Sequence, residues 1–72
     1  MVLDQVKQIL AEYKGIDKAI IQPETTMESL GIDSLDTVEL VMNLEDEFHV
    51  EIEVDEAINT VGDLVKILEG LL

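Results

Sequence analysis

A chain of 72 residues without cysteine has to fold around a hydrophobic core alone, because neither a disulfide nor a thiolate metal site can brace it. Apolar residues make up 47% of the sequence, which opposes disorder despite the many charges. The aromatic residues are only Tyr13 and Phe48, so the core must be mostly aliphatic. A chain of this length is expected to form a single domain over residues 1–72.

The charge of the chain is strongly negative and unevenly placed. Asp and Glu number 17 against 4 Lys and Arg, for a formal net charge of −13, and the segment from Ala19 to Val65 has 13 acids and no Lys or Arg. Such a surface repels nucleic acid and anionic membranes and attracts basic proteins or, weakly, divalent cations. No apolar run approaches the about 18 residues of a membrane helix, and no signal sequence opens the chain. Together with the missing cysteine, this predicts a cytoplasmic protein.

Apolar residues recur at helical spacing in three segments of the chain. The first predicted helix covers residues 2–14, and the second covers about residues 34–48. The third begins after Thr60, whose spacing to Asp63 is that of a capping box. Five apolar side chains of this last helix are expected to point inward: Val61, Leu64, Val65, Leu68 and Leu71.

The segments between these helices are less regular. Residues 15–33 are predicted to form a long ordered loop, with one helical turn where Thr25 and Glu28 have capping-box spacing. Four apolar residues are expected to anchor this loop to the core: Ile20, Ile21, Leu30 and Ile32. Residues 50–54 are predicted to be an extended connector, and a short helix capped by Asp55 is predicted over residues 56–59. The predicted fold is all-α, a small four-helix bundle of three longer helices, one short helix and a long first loop.

The second helix carries two apolar stripes on a helical wheel. The core stripe consists of Leu40, Val41, Leu44 and Phe48. The second stripe consists of Leu35, Val38 and Met42. Five acids surround the second stripe: Asp36, Glu39, Glu45, Asp46 and Glu47. This stripe either packs against the long loop or the short helix, or it is a docking face for a partner protein.

The residue types and spacings predict neither a catalytic nor a metal site. Ser34 would need a base to act as a nucleophile, and the only histidine, His49, lies about 22 Å away if both are on one helix. Zinc-type and calcium-loop patterns are missing. Ser34 at a helix N-terminus can be an N-cap or can carry a phosphate ester, which the helix dipole favours there. Local chemistry alone favours the cap and leaves the phosphate ester open.

The run from Leu30 to Leu40 resembles the prosthetic-group attachment motif of acyl carrier proteins, and the resemblance extends over essentially the full chain. It implies that Ser34 carries 4′-phosphopantetheine, supplied from coenzyme A with magnesium by a phosphopantetheinyl transferase (holo-synthase). The thiol of this arm would carry acyl groups as thioesters between the enzymes of fatty acid synthesis. The resemblance also implies a carrier that catalyses nothing itself, and we expect a monomer.

The same resemblance implies roles for other residues of the second helix. Asp33 would shape or help to recognise the attachment site. The partner-binding face would combine apolar residues, Leu35, Val38 and Met42, with acids that meet basic patches of partner enzymes, Asp36, Glu39, Glu45 and Glu47. Four residues could line a shelter for the acyl chain, although a plain core role explains them equally well: Leu40, Leu44, Ile58 and Leu64.

Two other functions are compatible with parts of the sequence. The first is a specialised carrier for polyketide, aminoacyl or cell-wall chemistry. Peptidyl carriers commonly have Gly-Gly-x-Ser, whereas this chain has Gly31-Ile32-Asp33-Ser34, which favours the fatty acid type. The second is an acidic interaction module without a prosthetic group, whose charges would be spread broadly over the surface.

Overall fold

The computed structural model describes residues 2–53 and 58–72, and these residues form a small all-helical bundle. Helix α1 spans Val2–Lys14, α2 spans Ser34–Phe48 and α3 spans Val61–Leu71, so the three longer helices predicted from the periodicity are confirmed. No β-strand occurs among the described residues, which contain one isolated β-bridge, between Thr26 and Thr60. None of the helices in these segments combines the length and apolar character needed to cross a membrane.

The core is aliphatic and draws on all three helices. Helix α1 packs against both α2 and α3. The largest fully buried side chains are all Leu, Ile or Val: Val6, Leu10, Ile21, Leu40, Val41, Leu44, Val61, Leu64 and Leu68. No polar side chain is buried among them in the part of the chain that the structure describes. The hydrophobic effect therefore supplies the stabilisation that disulfides provide in many proteins of this size.

Two short 3₁₀ turns, Lys18–Ile20 and Glu28–Leu30, give the long loop its order. Ile21 is fully buried and Ile32 is 4% exposed, so both anchor the loop as predicted, and Leu30 packs partly against the core. The prediction for Ile20 is wrong, because its side chain is 60% exposed. The first turn ends at Ile20 and an extended residue follows, which sends the side chains of these two adjacent isoleucines in different directions.

The capping arrangement predicted for Thr25 and Glu28 is also wrong. The Thr25 hydroxyl instead accepts a hydrogen bond from the Gln22 N–H at 2.9 Å. The helical turn starts only at Glu28, and the residue before it, Met27, has no capping side-chain oxygen. A local hydrogen bond within the preceding turn therefore takes up the threonine oxygen.

Helix α3 begins against the long loop. The Val61 N–H donates to the Thr25 carbonyl at 2.9 Å, and the Gly62 N–H donates to the Pro23 carbonyl at 2.7 Å. Leu71 was expected to point inward, but it is 47% exposed. As the last residue of α3 it lies at the margin of the core, where the inward stripe ends.

The connection from α2 to α3 is partly described. Val50, Ile52 and their neighbours up to Glu53 form neither helix nor strand, and Ile52 is buried, as the predicted extended connector requires. The first half of the short helix predicted over residues 56–59, together with its predicted cap Asp55, lies outside the described residues, so a fourth helix stays a prediction. Ile58 and Asn59, at its predicted end, are not helical.

Candidate functional site

Hydrogen bonds fix the start of α2 at Ser34. Asp33 is the N-cap: its carboxylate accepts from the Asp36 N–H at 2.9 Å, and the Asp36 carboxylate accepts from the Asp33 N–H at 3.4 Å. The Thr37 hydroxyl donates to the Asp33 carbonyl at 2.8 Å. The cap is therefore Asp33 rather than Ser34, which leaves the serine hydroxyl out of the capping arrangement.

Ser34 is exposed at the open end of α2. The N–H groups of Ser34 and Leu35 donate no hydrogen bond within the described part of the chain. Asp33 and Ser34 line a groove together with Ile58 and Asn59. Free N–H groups and the helix dipole favour an anion at this end, so a phosphate ester on the Ser34 oxygen fits the site.

The second apolar stripe of α2 faces solvent. Leu35 is 77% exposed, Met42 is 59% exposed and Val38 is 45% exposed. The alternative that these residues pack against the long loop is therefore wrong, and the short helix named with it falls partly on residues outside the described ones. The core stripe is buried at Leu40, Val41 and Leu44 as predicted, and Phe48 packs partly against the core. Three large apolar side chains in water on one helix face, beginning next to Ser34, are typical of a surface that binds another molecule.

The acids around this stripe are not equivalent. The Tyr13 hydroxyl lies 3.1 Å from a carboxylate oxygen of Asp36 and 2.8 Å from one of Glu39. The Lys14 ammonium lies 3.8 Å from Asp36 and donates to the Gly31 carbonyl at 3.1 Å. The hydrogen bond to Glu39, loss of solvation and the nearby Asp36 together raise the pKa of Tyr13 above its ordinary value.

Farther along α2, Glu45 is tied to the following segment. Its carboxylate accepts from the Ile52 N–H at 2.6 Å, and its side chain is half-buried. The neighbouring Asp46 and Glu47 are exposed. Glu45 therefore helps to hold the connector against α2, whereas Asp46 and Glu47 present their charges to solvent.

The four residues named for an acyl shelter divide into two groups. Leu40, Leu44 and Leu64 are at most 1% exposed and belong to the hydrophobic core. Ile58 is half-buried and lines the groove beside Ser34. Of these four predicted residues, Ile58 is therefore the one that lines the groove at the attachment end of α2.

His49 lies at the opposite end of α2 from Ser34. It is exposed, and it ends the helix in a left-handed conformation with φ of 57°. The 15 residues of α2 separate it from Ser34, so the two cannot form a catalytic pair within one chain. Among the described residues, no group of three or more His, Cys, Asp or Glu could hold a metal ion.

Tyr13 and Lys14 are residues of the site that the sequence patterns did not indicate. The spacing of α1 marks Tyr13 as an apolar-face residue and Lys14 as a residue of its polar face. Their partners lie more than 15 residues away in the chain, with separations of 23 and 26 residues for the two Tyr13 contacts. Contacts between residues so far apart in the chain produce no short-range sequence pattern, so the sequence alone does not reveal them.

Comparison with known proteins agrees with the geometry of α2. The family model for the phosphopantetheine attachment site matches residues 4–68. An acyl carrier protein of Streptococcus thermophilus (strain CNRZ 1066) is 43% identical over 68 residues, which cover 94% of this chain and 92% of that protein. The chain therefore belongs to the phosphopantetheine-attachment family, the family of acyl carrier proteins.

Proposed function

We propose that the chain is a carrier whose Ser34 hydroxyl is the attachment point for 4′-phosphopantetheine. The observation that carries this proposal is the exposed serine at the N-terminus of α2, where two N–H groups have no acceptor among the described residues. Once bound, the arm supplies a thiol that holds acyl groups as thioesters. The chain lacks cysteine and has no thiol of its own for this purpose. Asp33 holds the first turn of α2, so that the Ser34 hydroxyl faces an incoming transferase.

Intact mass after incubation with a broad-range phosphopantetheinyl transferase, coenzyme A and Mg²⁺ tests the proposal. We expect the wild-type chain to gain one phosphopantetheine and Ser34→Ala to gain none. The matched control is Ser29→Ala, because Ser29 is the other serine of the chain and is also exposed. This control should gain one phosphopantetheine. No gain by the wild-type chain with several transferases would contradict the carrier function and favour an acidic module without a prosthetic group.

The proposed cargo is the acyl intermediates of fatty acid synthesis. The similarity to an acyl carrier protein of Streptococcus thermophilus and the Gly31-Ile32-Asp33-Ser34 sequence support this pathway. Loading of the modified chain by a malonyl transferase of fatty acid synthesis should produce the thioester. Failure of this loading, with success by an enzyme of polyketide, aminoacyl or cell-wall chemistry, would make the chain a specialised carrier instead.

The proposed docking face comprises the exposed stripe of α2 and its acids, and its proposed partners are basic patches on the transferase and the synthesis enzymes. Glu47→Lys tests this electrostatic role better than a change at Glu45, because Glu45 also bonds to the connector. We expect Glu47→Lys to weaken binding and to reduce its dependence on salt. Glu69→Lys makes the same charge change at an exposed residue of α3 and should weaken binding less. Equal effects would contradict a localised face.

The groove beside Ser34 is the proposed entrance to an acyl shelter. Ile58 would line the entrance, and Leu40, Leu44 and Leu64 would contact an acyl chain that entered the core. Methyl resonances of these residues should shift when the acyl group is lengthened. Shifts limited to exposed residues would mean that the acyl group remains in solvent.

We propose further that residues 1–72 act as one carrier domain, monomeric, without catalytic activity and in the cytoplasm. A reducing compartment suits a carrier whose working group is a free thiol, because oxidising compartments favour disulfides. Light scattering of the purified chain should give the mass of one copy. A stable dimer would contradict the monomer, and thioester hydrolysis by the chain alone would contradict a carrier without activity.

A further inference from the structure

The attachment end of α2 is held by side chains from another helix. Tyr13 and Lys14 form the last two residues of α1, and both reach across to α2. One phenol hydroxyl lies between the carboxylates of Asp36 and Glu39, while the Lys14 ammonium contacts Asp36 and the Gly31 carbonyl. We call these four side chains, of Tyr13, Lys14, Asp36 and Glu39, the α1–α2 clamp.

The clamp reduces the electrostatic repulsion between two neighbouring carboxylates. Asp36 and Glu39 are three residues apart on one helix, and like charges at this spacing repel each other. A shared hydroxyl hydrogen and a nearby ammonium offset that repulsion and restrict the rotamers of both side chains. Without them, each carboxylate would sample several orientations, and a partner would have to order it on binding.

The clamp leaves the acids available to a partner. A carboxylate has about four lone-pair sites, so one hydrogen bond from Tyr13 leaves room for a guanidinium or ammonium group. Glu39 is exposed, and it lies four residues after Leu35 and three residues before Met42, both exposed residues of the apolar stripe. A partner that covers this stripe therefore meets a carboxylate in a prearranged position.

We propose that Tyr13 is a positioning residue for partner recognition, which orders Asp36 and Glu39 for a basic patch on the partner. This inference rests on the proposed function, because it specifies how the carrier's docking face is arranged. Tyr13 itself need not touch the partner, and its hydroxyl carries no charge at neutral pH. Its contribution is to lower the ordering cost of binding, while the acids supply the attraction.

The kinetic test uses the full chain, the transferase and coenzyme A. Tyr13→Phe removes the hydroxyl and keeps the ring, so the packing of α1 is retained. We expect the transferase KM for the carrier to rise about threefold to tenfold with kcat unchanged, since one or two side chains must then be ordered on binding. The dependence of KM on salt should remain as steep as in the wild type, because no charge is removed.

Two controls separate positioning from a structural role. Ser29→Ala removes another exposed hydroxyl and should leave KM unchanged. In the double variant of Tyr13→Phe and Glu39→Gln, the two effects on KM should be less than additive, because Tyr13 acts through Glu39. An unchanged KM in Tyr13→Phe, or full additivity, would overturn the proposal. A melting temperature of Tyr13→Phe so reduced that kcat falls while KM rises would also overturn it.

Tyrosine absorbance gives a readout that is independent of any partner. Tyr13 is the single tyrosine and the chain has no tryptophan, so the alkaline absorbance change reports this phenol alone. Asp36 and Glu39 accept its hydrogen bonds, Glu12 and Glu47 lie around it, and Lys14 is the nearby cation. Ionisation should occur above the ordinary value of about 10 and move back towards it in Glu39→Gln.

Failure of the inference can be told apart from failure of the proposed function. If the wild-type chain is not modified at all, the proposed function fails, whatever the phenol titration shows. If the wild type is modified but the phenol titrates at its ordinary value, the clamp does not form in solution and the inference is overturned. If both the titration shift and the KM effect are found, the clamp positions the docking face.

Discussion

The first turns of α2 and α3 are built alike and end up in opposite surroundings. Each is a capping box with an aspartate as its third helical residue: Asp33 with Asp36 in α2, and Thr60 with Asp63 in α3. The first helical residue of α2 is exposed Ser34, whereas that of α3, Val61, is fully buried. The same local motif therefore starts a helix that is open to solvent and one that is sealed against the core.

The N–H groups at the two helix starts account for the difference. In α3, those of Val61 and Gly62 donate to carbonyls of the long loop. The corresponding groups of Ser34 and Leu35 in α2 have no acceptor in the described segments. A helix N-terminus can hold an anion only if the fold leaves its N–H groups free. The carbonyls of the long loop accept from the first N–H groups of α3, whereas those of α2 remain available to an anion.

The largest change in the free energy of unfolding is expected at the first helical residue of α3. Val61→Ala removes two buried methyl groups and leaves a cavity, so we expect it to lower the free energy of unfolding by about 2 kcal/mol. Val38→Ala makes the same change on the exposed face of α2, where Val38 is 45% exposed, and should cost clearly less. Urea denaturation of both variants measures the contrast. Similar losses would contradict the sealed start of α3.

The N-cap residues of the two helices should show the next largest difference in their contribution to stability. Thr60→Ala leaves the Asp63 N–H of α3 without its acceptor and should cost about 1 kcal/mol. Asp33→Asn keeps a capping oxygen and removes one negative charge near Asp36, so its stability should stay equal to that of the wild type or rise slightly. Thermal unfolding at low salt compares the two variants. A clear loss in Asp33→Asn would show that the charge of this cap is needed.

The dependence of the free energy of unfolding on pH, at acid pH, also distinguishes the start of α3. Hydrogen bonds from the Thr60 N–H and then the Asn59 N–H lower the pKa of Asp63 below its ordinary value. Its stabilising effect is therefore complete above the unfolded-state pKa of about 3.9 and is lost as pH falls through the lower folded-state pKa. The stability difference between wild type and Asp63→Asn should shrink from pH 6 to pH 3. A constant difference would contradict this linkage.

The second residue of α2 should also contribute little to stability. Leu35 is 77% exposed, so Leu35→Ala should change the free energy of unfolding by less than about 0.5 kcal/mol. The same variant should raise the transferase KM for the carrier, because an apolar contact of the proposed docking face is lost. Parallel denaturation and modification assays test both parts. A large loss of stability would mean that Leu35 packs in solution, and an unchanged KM would remove it from the docking face.

The helices were predictable because their signals are local. The apolar periodicity and the capping-box spacing from Thr60 to Asp63 lie within one or a few turns of chain, so the bounds of α1, α2 and α3 follow from neighbouring residues. The predictions for Ile20 and Leu71 are wrong because apolar character does not say which side chain finds room in the core. The exposure of the second stripe could not be decided from the wheel either, since it depends on what packs opposite.

The sequence by itself determined the three helices, the acidic centre and the attachment motif around Ser34, because each depends on residue type and short spacing. Only the tertiary structure decided which helix start stays open and which acids are held. Those outcomes depend on where the loop carbonyls of Pro23 and Thr25 and the hydroxyl of Tyr13 lie in space. Contacts between distant parts of the chain arise from packing all the elements at once, and no short stretch of sequence encodes them.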